Sequence, residues 1–291
     1  MGDPPNKLIK VNSRTFEEDW PMKYLETSRP YDTGWIAYTS EQGGTFDIWL
    51  YRPADTLNYR LTQGLGEEFS IPYWSSDSRK IAFLGKGNII YVLDRTTGST
   101  AQIDQIEPYT LLDWSPDSRF LTYVKNGEIV IYDTITHSNR TILQQGARDV
   151  QWFPMGRELL FSALDSAGFS QLYRINADGT DKRQLTQNTE GLHNNVRLSP
   201  DGRFVLFTSP GASISIIYTI DLATGGTNTL EGGPLAKNYF PEWSPDSSMI
   251  SYSATVFTQN RYYSLIQTDS RTGRLKRSWA VSDCFSTPVS W

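Results

Sequence analysis

The chain has 291 residues, 38% of them hydrophobic and 20% charged, a globular mixture with ample apolar material for a core. Its net charge of −5 and its lack of any Lys/Arg run argue against nucleic acid as a partner. A single cysteine, Cys284, excludes an internal disulfide, and no stretch approaches the roughly 18 apolar residues of a membrane span.

Residues 1–30 carry no internal repeat and read as an N-terminal extension or tether. Phe16, Trp20, Met22, Tyr24 and Leu25 suit packing against whatever follows. The start lacks the basic-then-apolar pattern of a signal peptide. Either the protein is not exported, or a leader or anchor that stood before residue 1 has been removed.

Residues 34–63 then supply three short strand patterns, with Asp47-Ile-Trp-Leu-Tyr51 in the middle. From there a phrase recurs: a leading aromatic or apolar residue, a Ser-Pro-Asp-like turn, and an apolar strand. The copies begin at Trp74, Trp114, Trp152, Leu198 and Trp243, separated by 40, 38, 46 and 45 residues. A period in this range marks a repeat architecture. Each copy continues through a second strand, such as Glu128-Ile-Val-Ile-Tyr132, and an Asp- or Asn-led turn, such as Asp94-Arg-Thr-Thr-Gly98. A short outer strand ends the unit, as in Arg183-Gln-Leu-Thr186. With the strand that leads into each Trp, every unit holds four antiparallel strands. Such units, repeated radially, predict an all-β propeller.

The chain ends with Ser286-Thr-Pro-Val-Ser-Trp291, matching Ser70-Ile-Pro-Tyr-Trp74, and Trp291 falls 48 residues after Trp243. Tyr31-Asp-Thr-Gly34 stands where the other copies have their turn. The expectation is a six-bladed β-propeller over 31–291, with four strands per blade. The C-terminal strand, about 286–291, would complete the N-terminal blade and leave no open sheet edge. Both ends of the ring would then meet on the face that carries the turns.

These copies resemble the WSPDG-type repeats of the TolB-like six-bladed propellers, over roughly residues 31–291. Departures are Ser76, Phe153, Met155 and Leu198. The resemblance implies a periplasmic, secreted or cell-surface setting, and a binding platform more often than an enzyme.

The Asp residues of the repeated turns read as turn chemistry, because Pro presets the turn and Asp accepts backbone N–H groups. The leading Trp residues read as packing between blades. Asn176-Ala-Asp-Gly-Thr-Asp181 lacks the spacing and closing Glu of a calcium loop. No nucleophile elbow or His-Glu-x-x-His pattern occurs, and the only histidines are His137 and His193. No cofactor is expected, although a channel-bound ion such as calcium stays open.

Variation concentrates just ahead of each leading residue, where the chain runs beside the central channel. Glu67, Glu68, Tyr109, Arg148, Asp149, His193, Asn194, Asn195 and Tyr239 are the candidate binding residues there. Carboxylates and Arg would supply charge-assisted hydrogen bonds, and Tyr the desolvated anchors. Loops 164–169, 209–215 and 254–261, with Phe169 and Phe257 as apolar tips, would rim the same mouth. The reading is a non-enzymatic scaffold for a protein or peptide partner at the channel mouth. Two alternatives are a polysaccharide- or peptide-processing enzyme using the channel, and a structural subunit of an extracytoplasmic complex.

Overall fold

The computed structural model describes residues 35–42, 44–52, 55–67, 70–108, 110–187, 194–210, 215–230, 236–244, 246–257, 261–269, 271 and 275–281. Residues 194–195, 209–210, 215, 236–240, 253–257, 261–269 and 275–281 are described through their backbone alone. The postulated closing strand, 286–291, and the 1–30 extension lie outside the described residues.

Runs rich in Ile, Val, Tyr and Phe between Asp/Gly turns form antiparallel meanders, as their composition favours. The first sheet contains Ile36–Ser40, Asp47–Arg52 and Leu57–Arg60. The second runs Tyr73–Trp74, Lys80–Gly85, Ile89–Asp94 and Thr100–Gln105, and the third Asp113–Trp114, Phe120–Lys125, Glu128–Asp133 and Ser138–Leu143. Ala147–Trp152, Glu158–Leu164, Ser170–Asn176 and Arg183–Gln184 make the fourth. One eight-stranded sheet holds the rest: Asn194–Leu198, Phe204–Pro210, Ser215–Asp221 and Thr227–Thr229, then Ala236–Trp243, Met249–Phe257, Arg261–Asp269 and Leu275–Val281.

The all-β propeller is as expected, but the described strands make five hydrogen-bonded sheets where six separate blades were expected. The difference has a local cause: Ser215 pairs in parallel with Lys237 and joins two successive meanders. The 254–261 segment also departs from its expected loop, because strand pairing continues to Phe257↔Arg261.

Apolar clusters lie between consecutive strand sets. Ala37, Ile48 and Leu50 meet Ile81, Phe83 and Tyr91, while Ile90 and Val92 meet Trp114, Leu121 and Tyr123. Ile129 and Ile131 meet Trp152 and Phe161, and Leu160 and Leu172 meet Val205 and Phe207. Leu206 and Ile217 meet Trp243 and Tyr252 inside the eight-stranded sheet. The leading Trp side chains therefore seal one strand set against the one before it.

The repeated turn works as the sequence implies. In the Trp74, Trp114, Leu198 and Trp243 copies, the Ser hydroxyl donates to the turn Asp at 2.5–2.7 Å. That Asp accepts the N–H two residues on. The fifth residue of every copy, counted from the leading residue, has positive φ: Ser78, Ser118, Gly156, Gly202 and Ser247. At Gly202 a Cβ would also stand 2.9 Å from Pro154 of the preceding copy. Ser118 and Ser247 instead use their hydroxyls to accept the N–H of Asp77 and Asp201 across the blade boundary. These turns and the Asp-led turns lie at one end of the sheets, the turn face. The remaining hairpins lie at the other, the loop face.

Candidate functional site: the axial channel

Strand alternation decides what lies on the axis. Where the leading residue enters the inter-sheet core, the residue before it faces the opposite way. Those preceding residues are Tyr73, Asp113, Gln151, Arg197 and Glu242, and all five line one cavity of about 300 Å³. A second cavity, of about 280 Å³, shares Ser76, Asp113, Trp114 and Gln151 with the first. It opens at the turn face between Pro116, Pro154 and Pro200. The axis is hollow on both sides of Asp113 and Gln151.

The lining residues also stitch neighbouring strands together. Asp113 Oδ2 accepts the Trp152 N–H at 2.7 Å, and Gln151 Oε1 accepts the Leu198 N–H at 2.6 Å. In the reverse sense, the indoles of Trp114 and Trp243 donate to the carbonyls of Tyr73 and Arg197.

Arg197 carries the ring's positive charge, with its side chain 11% exposed and its Nε 3.0 Å from Glu242 Oε1. Burial works against that charge, but Glu242, Tyr73 and Asp149 outweigh it and hold the guanidinium above its usual range. Burial pushes Asp113 up to about 7, against the pull of the Trp152 N–H and Arg197. Asp149 is raised too, by burial, despite Arg197 and a hydrogen bond from the Ser162 hydroxyl. Burial lifts Tyr73 to about 12. The arrangement offers hydrogen-bond acceptors, one cation and an acid that exchanges its proton near neutral pH.

Of the residues singled out by sequence, Asp149 reaches this electrostatic cluster. Arg148 beside it is exposed. Glu67 is exposed, and its Oε1 accepts the Gly87 N–H, so it caps a hairpin of its own sheet. Glu68, Tyr109 and His193 lie outside the described residues, while Asn194, Asn195 and Tyr239 are placed on inner strands through their backbone. Sequence reasoning missed Asp113, Gln151, Arg197 and Glu242. The signal was one position upstream of each leading residue. Phe169 is half-buried, in a hairpin organised by Asp165. His137 is exposed, with Nδ1 2.9 Å from the Tyr132 hydroxyl. The Asn176–Asp181 segment forms a hairpin turn in which Asp178 accepts the Thr180 N–H. Among the described residues no group of three or more His, Cys, Asp or Glu is placed to hold a metal ion. No helix among them is long and apolar enough to cross a membrane.

The family model of the TolB beta propeller domain matches residues 58–291. The chain belongs to that family. Among TolB relatives, the Tol-Pal system protein TolB of Bordetella pertussis is 27% identical over 249 residues, covering 75% of this chain and 55% of that protein. The chain thus spans about half the length of the curated relatives it matches. TolB from Acinetobacter baumannii superposes with a TM-score of 0.64 at 21% identity, covering 86% of this chain and 64% of that one. An oligogalacturonate lyase in complex with manganese superposes with a TM-score of 0.62 at 16% identity, covering 84% and 73%. At these identities the two structures share the fold with this chain, and the fold alone.

Proposed function

We propose that this chain is a non-enzymatic scaffold of the TolB type, which recognises a protein or peptide partner at the loop-face mouth of its channel. The observation that carries the reading is the axial cavity. Positions that are equivalent by repeat hold Tyr, Asp, Gln, Arg and Glu there, on the innermost strands of a rigid frame. Equivalent positions with unlike chemistry suit recognition of one asymmetric ligand. Asp149 and Arg148 continue that surface towards the mouth, where Glu67, Glu68, Tyr109, His193, Asn194, Asn195 and Tyr239 are its proposed rim.

By analogy with the Bordetella protein, the partner belongs to an envelope assembly of the Tol-Pal kind, and the setting is periplasmic. The domain reading is an extension over 1–30 followed by one propeller over 31–291. Six blades are the proposed count. The five apolar clusters fall between six successive strand sets, and 286–291 is the segment in register to complete the first.

Affinity capture from the source cells, with the intact chain as bait, tests the reading. Arg148→Glu and His193→Ala should each lose the same captured protein, while a turn-face change should keep it. Turnover of oligogalacturonates or peptides by the purified chain, abolished by the same changes, would favour the channel enzyme instead. A captured complex indifferent to both changes would mark the chain as a structural subunit held through another surface.

A further inference from the structure

The loop-face mouth of the channel is unevenly charged. Glu67 and Glu107 each stand seven residues ahead of a leading Trp, Trp74 and Trp114, so they are equivalent by repeat. Their two sheets are neighbours, packed through a shared apolar cluster. Both glutamates are exposed, and each is tied to the loop-face hairpin of its own sheet. Glu67 Oε1 accepts the Gly87 N–H at 3.2 Å, and Glu107 Oε1 accepts the Asn126 N–H at 3.0 Å. One oxygen of each carboxylate is thus fixed, so part of the side-chain entropy is lost before anything binds. The other copies have Gln145, Gly191 and Ala236 at this position, none of them charged.

Nearby cations do not balance this wall. Lys125, in the hairpin that Glu107 caps, is held by Asp104 at 2.5 Å. In the channel Arg197 is matched by Glu242, and neither of these ion pairs uses Glu67 or Glu107. Lys86 is the exposed cation of the two hairpins. Asp113 follows Glu107 by six residues and lines the cavity, so the acidic side continues inward. The fourth sheet has the opposite sign at the mouth, where Arg148 is exposed. A mouth with acids on one side and a cation on another selects its ligand by charge and by orientation.

We propose, resting on the loop-face reading above, that the partner presents a basic, extended segment to this mouth. Its Lys or Arg side chains lie against Glu67 and Glu107, and Arg148 receives an acidic group. Two short peptides probe the wall by fluorescence anisotropy with the intact chain, one alternating Gly and Lys, the other alternating Gly and Glu. The lysine peptide should bind about tenfold more tightly. Glu67→Gln/Glu107→Gln keeps an acceptor for each hairpin N–H, so the fold should persist. It should weaken the lysine peptide about tenfold, as expected of two exposed ion pairs. Asp94→Asn/Asp178→Asn removes the same charge from turns at the opposite face and should leave binding unchanged. Equal binding of the two peptides would overturn the proposal. So would an equal loss in both double variants, which would reduce the attraction to net charge. Displacement of the lysine peptide by submillimolar calcium at fixed ionic strength would assign the wall to a divalent cation and overturn it equally. Affinity capture separates this failure from that of the loop-face reading. A partner lost with Arg148→Glu but kept with Glu67→Gln/Glu107→Gln leaves the reading intact and overturns the basic segment, whereas capture indifferent to both overturns the two together.

Discussion

Adjacent residues on the innermost strands have opposite fates. The leading residue does one job in every copy: Trp114, Trp152 and Trp243 are all buried against the preceding strand set. Its upstream neighbour does a different job each time, as Asp113, Gln151 and Arg197 show. The pleat makes this possible by sending alternate side chains to opposite faces. One face holds the ring together and tolerates little change. The other is free to carry unlike chemistry, and the frame stays the same when it does.

The largest effects should come from the packing face. Trp114→Ala removes a buried ring and its bond to the Tyr73 carbonyl, and should cost about 3–5 kcal/mol in urea unfolding. An equally severe loss from Gln151→Ala would erase the contrast, since that change should cost only about 1 kcal/mol. Arg197 is where the axial face is expected to matter for stability. Arg197→Ala leaves Glu242, Asp149 and Asp113 without their cation and should cost about 3 kcal/mol at pH 8, and less at pH 5.

Asp113 sharpens the comparison through pH. Its native carboxyl titrates at about 7, above the roughly 3.9 of an unfolded aspartate, so the native state holds the extra proton between those values. Its contribution to stability is therefore full at low pH and is lost as pH rises towards and through 7. Asp113→Asn keeps an acceptor for the Trp152 N–H and removes the titration. Relative to the unaltered chain, it should gain about 2 kcal/mol between pH 5 and pH 8 in chemical denaturation, the full shift being discounted because the side chain touches channel solvent. A flat difference across that range would show that water reaches Asp113 freely. The smallest effect belongs to the turns: Ser118→Ala loses the acceptor for the Asp77 N–H while keeping the Cβ that a positive φ already strains, for about 1 kcal/mol by thermal melting. Ser118→Gly relieves the strain and should cost less.

Local chemistry made most of the fold legible. Pro and Asp in the turns, Ser or Gly where φ is positive, and Ile/Val/Tyr runs between them are short-range signals, and each has its counterpart in the structure. Contacts that depend on how two loops approach were not legible, such as the Ser215–Lys237 bridge that joins two meanders into one sheet. At 254–261, Thr255 and Val256 on one side and Tyr262 and Tyr263 on the other favour strand, and pairing overrides the loop reading. The axial ring was legible in principle: once Trp114 is assigned to the core, alternation sends Asp113 to the channel. What spacing alone could not provide is its electrostatics, because the Arg197–Glu242 contact joins residues 45 apart across two successive inner strands.

The separation of the apolar clusters has a mechanical consequence. Among the described residues each apolar cluster joins one strand set to its chain neighbour, so cohesion passes along the propeller link by link, as in an arch whose stones touch in pairs. Damage at one link should spread through the two sets it joins before it reaches the far side. In amide exchange, Leu159 and Phe161 should then loosen with Trp152→Ala while Ile48 and Leu50 keep their protection.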